Sequence, residues 1–260
     1  MPELPDVESF KSYAGSTSLH QPIDSVTVNN SRVLKDLSGH DLERALTGKA
    51  LVSCNRHGKN LFLELGGGPW IVMHFGMTGF LKYYKNPDES PPHERVVLHF
   101  DNDYNLAFDC QRMLGRVSLT PDPEEYARAA DLGPDALEVD RDTFVQTLKG
   151  KRGKLKSALM NQKTISGIGN VYSDEILYQM GLNPKSNAGD LDDPGLDELY
   201  RVTREVLTRA VNYQTDGKNI PDEFLLAHRK KGAPCPKGKG KIETMKVSGR
   251  TAYYCPSCQA

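Results

Sequence analysis

Ser166-Gly167-Ile168-Gly169-Asn170-Val171-Tyr172 joins two stretches of helical periodicity, residues 154–162 and 171–180, and its place in the 260-residue chain decides how the rest is organised. Helical patterns surround it, at 123–130, at 141–149 and at 194–212. The last sets Leu196, Leu199, Val202, Val206, Leu207 and Ala210 on one broad apolar face. Before Pro121 the character differs. Short β-type runs at 25–28, 61–65, 71–75, 80–84, 96–100, 105–108 and 116–119 are separated by turn clusters such as Gly66-Gly67-Gly68-Pro69 and Asn86-Pro87. A helix precedes them at 6–13, with Pro5 at its start and Val7, Phe10 and Tyr13 near helical spacing. Strands followed by helices predict an α+β protein of two domains. Residues 1–121 read as a β-sandwich with flanking helices, 122–140 as a linker with the first helix of the second domain, and 141–225 as a helical domain. Residues 226–260 read as a β-hairpin finger turning at Ser248-Gly249.

A formal net charge of −1 disfavours a polyanion partner only if the charge is evenly spread, and it is not. Residues 226–260 carry eight basic side chains against Glu243 alone, a net +7, so the other 225 residues carry −8. Lys149, Lys151, Arg152, Lys154 and Lys156 form a second basic run with no acid among them. Such local patches suit phosphates, although an isolated lysine-rich run is more often a solvated face. No apolar run approaches the roughly 18 residues of a membrane helix, and no secretory leader is recognisable, so an intracellular protein is expected.

Cysteine usage agrees with that. Five cysteines do not pair into a secreted framework. Cys54 and Cys110 stand alone, whereas Cys235, Cys255 and Cys258 cluster inside the +7 segment. Cys255-Pro-Ser-Cys258 is half of a zinc knuckle, but Gly238 stands where a fourth cysteine would complete the set. Structural zinc normally takes four ligands, so zinc and an ion-free hairpin both stay open.

Met1-Pro2-Glu3-Leu4-Pro5 supplies a different chemistry. Removal of methionine before a small residue exposes a secondary amine at Pro2, and an α-amine of pKa about 8 is partly neutral at pH 7. Attack on a carbonyl-level carbon would give an iminium ion, an electron sink for elimination. Glu3 beside it could move protons. A proline-rich helix lead-in is the plainer reading of these residues taken alone. The Gly167-Ile168-Gly169 turn entering a helix presents backbone N–H groups suited to a phosphate.

Together and in this order, these elements resemble the formamidopyrimidine-DNA glycosylase/endonuclease VIII family over essentially the whole chain. The residues that carry the resemblance are Pro2-Glu3-Leu4-Pro5, the segment 156–184 with Gly167-Ile168-Gly169-Asn170, and the cysteine-containing finger. Arg56-His57-Gly58-Lys59 and His74-Phe75-Gly76-Met77-Thr78-Gly79 match less strongly. The resemblance implies a helix–two-turns–helix in the second domain and a bifunctional glycosylase/AP lyase acting as a monomer on damaged double-stranded DNA. It also implies a cytoplasmic, nucleoid-associated location in a prokaryote. Pro2 would attack C1′ and displace the base, Glu3 would protonate the sugar ring oxygen, and β,δ-elimination would follow. Lys59 matches a lysine on the lesion phosphate, Asn170 a phosphate ligand and Arg250 the arginine at the finger tip. His74, Arg112, Lys156 and Tyr172 are carried over as further DNA contacts. Met77 matches a side chain that fills the space of the flipped base, a move that costs a few kcal/mol.

Three departures qualify this. Gly238 removes a zinc ligand. Asp109-Cys110-Gln111-Arg112-Met113-Leu114-Gly115 replaces a shorter family motif, and Gln111 and Leu114 are candidates for the second and third wedges. Residues 212–231 are shorter than the family region that houses the loop over 8-oxoguanine, so an oxidised pyrimidine or ring-opened purine stands beside 8-oxoguanine as substrate. Two other readings compete: a non-catalytic lesion-binding protein of the same fold, and a tautomerase-like enzyme that leaves the C-terminal half unexplained. Because basic charge is confined to patches, the logarithm of DNA affinity should fall with the logarithm of salt along a slope that counts fewer than about ten phosphates. Fluorescence-anisotropy titrations across salt concentrations measure it.

Overall fold

The structure, a computed structural model, describes residues 1–215, 220–238 and 240–260. Lys239, one of the finger's basic residues, and residues 216–219, within the shortened 212–231 region, lie outside the described residues. The chain divides into two compact units, Met1–Pro2 with Asp6–Ala130, and Glu3–Pro5 with Asp131–Ala260.

In the first unit, helix α1 (Leu4–Thr17) begins as Pro5 dictates, and Val7 and Ala14 reach the core. The expected strands appear as β1 (Ile23–Val28), β3 (Asn60–Leu65), β4 (Trp70–His74), β5 (Phe80–Tyr84), β6 (Glu94–Phe100), β7 (Asn105–Asp109) and β8 (Arg116–Thr120). Two elements come in addition. Strand β2 (Leu51–His57) is rich in polar residues and shows no clean alternation. Helix α2 (Gly39–Leu46) is capped by Ser38, whose hydroxyl accepts the N–H of Asp41. Among the described residues the strands form two four-stranded antiparallel sheets, β1-β6-β7-β5 and β2-β3-β4-β8. Leu98, Leu106 and Phe108 of the first share one core with Leu61, Ile71 and Val117 of the second, which makes the sandwich. Helix α3 (Pro123–Ala129) belongs to this unit rather than opening the second domain, because Tyr126 packs edge-on against Phe62.

The second unit holds α4 (Arg141–Leu148), α5 (Leu155–Met160), α6 (Asn170–Gln179), α7 (Asp193–Thr215) and the hairpin β9 (Glu243–Val247) and β10 (Arg250–Tyr254). Helix α6 lies at its centre, with every residue from Tyr172 to Tyr178 buried. A helix enclosed on all sides has no wet face for Asp174 and Glu175, so each must be paired inside. Asp174 accepts from Lys156 Nζ at 2.7 Å, from Arg229 Nη2 at 2.8 Å and from the Tyr253 backbone at 3.1 Å. Glu175 accepts from Gln179 and from the N–H groups of Leu225 and Leu226, while burial pushes its carboxyl up to about 7. One acid thus ties α5, the segment at Arg229 and the finger to α6.

Asp174→Asn would leave Lys156 a buried cation with no anion in contact, which costs about 3–5 kcal/mol. The helical signal in urea denaturation should shift to lower urea, while the fluorescence transition of Trp70, in the first unit, stays where it was.

Candidate active site and nucleic-acid interface

The glycine-rich turn does not offer its N–H groups to solvent. Glu3 is completely buried, and its carboxylate accepts from Gly169 at 2.7 Å, Val171 at 2.9 Å and Tyr172 at 3.2 Å. Free donors and a positive partial charge at a helix start attract an anion, and here that anion is a side chain of the same chain. The phosphate expected on these amides is therefore displaced by Glu3. The glycines follow from the close approach. A Cβ at Gly169 would lie 2.3 Å from the Glu3 carboxyl carbon, and one at Gly167, whose φ is +110°, 2.5 Å from Leu4 Cδ1. Leu4 N–H donates to the Gly167 carbonyl and completes the strap.

Lys156 and Tyr172 are corrected in the same way. Lys156 is 1% exposed and donates to Asp174, Ser173 and the Asn170 carbonyl, so it braces α6 and is not presented to a backbone phosphate. Burial lowers its pKa, and Arg229 adds to that against the opposing pull of Asp174 and Glu3. Tyr172 is 2% exposed, with its hydroxyl at Tyr213 and Gln214. The rest of the basic run is partly engaged as well: Lys149 pairs with Asp193, and Lys154 reaches the Lys185 carbonyl and Asn187. Lys151 and Arg152 are exposed.

Asn170, the first residue of α6, donates its amide to the Thr251 carbonyl of β10 at 3.0 Å. The second hydrogen of that amide can still be donated to a phosphate. Arg250 is exposed at the start of β10, past a two-residue turn in which Ser248 and Gly249 have φ of 47° and 78°. The Ser157 hydroxyl donates to that of Ser248 at 2.7 Å and anchors the turn to α5.

The first unit gathers the other candidates at adjoining strand ends. Asn60 lies opposite His74, and His74 opposite Arg116, in neighbouring strand pairs. This register sets Lys59 beside His74, whose pKa is lowered first by burial and then by Lys59 and Arg116. His74 Nδ1 accepts the Gly76 N–H, so the imidazole shapes the loop that carries Met77. Arg112 N–H donates to Thr78, and a Cβ at Gly76 would strike the Leu114 backbone at 2.4 Å, so the two loops are interlocked. Met77 and Leu114 are 39% and 45% exposed, an unusual cost for large apolar side chains, and Arg112 is exposed beside them. Sequence reading passed over Arg56. It is buried, donates to Glu8 of α1 at 2.6 Å and to the Gly58 carbonyl at 3.1 Å, and so fixes the left-handed Gly58 turn that presents Lys59. Burial pushes the Glu8 carboxyl up, but Lys11 and Arg56 outweigh it and the net shift is downward. Pro2 is partly buried, and with Met1 attached its nitrogen is an amide.

Cys235, Cys255 and Cys258 place their sulfurs within 4.8 Å of one another, a cluster able to hold a metal ion. Hydrogen bonds to Tyr178 and Cys255 lower the Cys235 thiol to about 7 against the effect of burial, while burial first of all pushes Cys258 up to about 12. His228 is turned to the Asp222 carbonyl and stands outside the cluster.

The sequence profile of the formamidopyrimidine-DNA glycosylase N-terminal domain matches residues 1–117, and that of the same enzyme's H2TH domain matches residues 132–222. The chain belongs to the formamidopyrimidine-DNA glycosylase family. It is 33% identical over 273 residues to the formamidopyrimidine-DNA glycosylase of Geotalea daltonii, with all of both chains covered. The enzyme of that name from Carboxydothermus hydrogenoformans is 32% identical over 272 residues, again with complete coverage. A crystal structure of the Lactococcus lactis enzyme bound non-covalently to DNA containing an AP site superposes with a TM-score of 0.88 and 25% identity over 99% of each chain. The H2TH match covers α4 to α7, whose Phe144, Leu155, Ile176 and Leu199 share one core with Leu4 of the strap. Among the described residues no helix is long and apolar enough to cross a membrane.

Within this glycosylase-family fold Gly169→Ala must push the Glu3 carboxylate from its cradle. A displacement of about 1 Å at a reacting group costs on the order of a hundredfold in rate. Single-turnover cleavage of an abasic-site duplex should slow by about that factor, with duplex affinity changed far less.

Proposed function

We propose that this protein is a base-excision-repair DNA glycosylase with AP lyase activity, acting as an intracellular monomer on damaged double-stranded DNA. The observation that carries the reading is the buried Glu3 carboxylate, held by three backbone N–H groups one residue from Pro2. A carboxylate taken out of water at a chain terminus and fixed in one orientation is expensive unless its position matters. Sequence adjacency keeps the proton-handling group within reach of the nitrogen that reacts.

Once Met1 is removed, the Pro2 secondary amine attacks C1′ of the damaged nucleotide and the base departs. Glu3 passes a proton to the sugar ring oxygen as the ring opens. The iminium acidifies the C2′ hydrogen, so β-elimination breaks the 3′ phosphate bond and δ-elimination the 5′ one. Lys59 and Arg250 hold phosphates, with Asn170 as a further ligand through its second amide hydrogen. Met77, with Gln111 and Leu114 as the second and third wedges, occupies the space that the flipped nucleotide leaves in the stack, and Arg112 contacts the DNA beside them. The substrate base is an oxidised or ring-opened one, with 8-oxoguanine, formamidopyrimidines and oxidised pyrimidines as the candidates.

Zinc held by Cys235, Cys255 and Cys258 would stabilise the finger that carries Arg250. The donors fit it incompletely, because among the described residues no fourth ligand joins the cluster. No step of the reaction passes through a metal.

Borohydride reduction during reaction with a lesion-containing duplex should trap a covalent protein–DNA adduct. Pro2→Gly should reduce its yield steeply, and a form that retains Met1 should give none. Binding without cleavage by the processed protein would instead leave a lesion-binding protein of this fold.

A further inference from the structure

The finger's cysteines are arranged for three bonds rather than four. Cys235 and Cys258 have their sulfurs 3.5 Å apart, and Cys255 completes a triangle with no edge above 4.8 Å. Tetrahedral zinc with four sulfurs at about 2.3 Å needs a fourth donor on the open side of such a triangle. The position that would supply it is Gly238, where a Cβ would have no atom within 4 Å and φ is +72°. Among the described residues no fourth cysteine, histidine or carboxylate joins the three sulfurs. The Tyr178 hydroxyl lies 3.1 Å from Cys235 and accepts the Lys237 N–H, which leaves its own hydrogen for the sulfur.

The triangle is also set by contacts that need no ion. Cys235 N–H donates to the Gly240 carbonyl, Cys258 N–H to the Cys255 carbonyl, and Cys255 N–H to the Gln259 side chain. Tyr178, Leu225 and Ile242 form the small core beneath. Cys235 and Cys255 are buried and Cys258 is half-buried, so the site is apolar with one accessible edge. Three preset thiols with no fourth ligand among the described residues suit a soft trivalent ion, which forms three bonds to sulfur and directs a lone pair to its fourth side. Divalent zinc, which wants a tetrahedron, suits them less.

We infer that Cys235, Cys255 and Cys258 form a three-coordinate site for trivalent thiophilic ions of the arsenic(III) class. With arsenous acid the exchange balances without redox change: three As–O bonds break, three As–S bonds form, and each thiol proton leaves with a hydroxide as water. The ion would lock the finger's base, and Asn170 joins the finger to α6 through Thr251.

The test is a titration of the full-length protein, stripped of metal and reduced, with arsenous acid. Intact-mass measurement should show one adduct whose gain is one arsenic less three hydrogens. Thiol counting should fall by three of the five cysteines, leaving Cys54 and Cys110. Cys258→Ser should lose that adduct, and one equivalent of zinc should not prevent it in the wild type. Gly238→Cys should reverse the preference, with zinc held against arsenous acid. Because its φ strains any side chain, folding of that variant is checked by circular dichroism, and Cys258→Ser carries the test alone if it fails. An adduct that retains a hydroxyl on arsenic, an undiminished adduct in Cys258→Ser, or stoichiometric zinc that arsenous acid leaves in place would overturn the assignment.

Discussion

The first turn of α6 is where the second unit's structure and its chemistry meet. Three of its N–H groups converge on Glu3, and one turn deeper Asp174 receives Lys156 and Arg229. Two anions and two cations thus surround the turn, and their charges cancel. A neutral cluster of paired charges tolerates burial that a lone charge would not. It also fixes the short segment Glu3–Pro5. Gly167 and Gly169 are part of this constraint, since each keeps a Cβ out of space that Leu4 and Glu3 occupy.

A parallel arrangement serves the first unit. Arg56, itself buried, clamps the Gly58 turn and the acid of α1, which leaves Lys59 at a defined place beside His74. The loops carrying Met77 and Leu114 interlock through Gly76 and Thr78. In both units, then, residues expected to touch DNA stand on supports made from buried charges and tight backbone contacts. Such supports narrow the positions a reacting or contacting group can take.

The basic residues show how composition and structure part company. Of the run at 149–156, Lys156 is consumed by the interior and Lys154 is held by neighbouring oxygen atoms, while Lys149, in a surface ion pair with Asp193, and Lys151 and Arg152 stay exposed. A count of charges along a sequence does not distinguish a cation that faces phosphate from one that neutralises a buried acid.

Periodicity in the sequence determined the strands and helices almost wherever the pattern was regular, because alternation and helical spacing report directly which side of an element is buried. It missed β2, whose polar residues hide its alternation, and α2, marked only by the Ser38 cap. Pro2, Glu3, Lys59, Met77 and Arg250 became candidates through the family resemblance of the motifs that hold them. Tertiary structure alone decided that Glu3 occupies the helix start meant for a phosphate, that Lys156 and Tyr172 are interior, and that Arg56 and Asp174 are supports. Each of these depends on which groups distant in sequence come within hydrogen-bonding or van der Waals range, and local pattern carries no record of that distance.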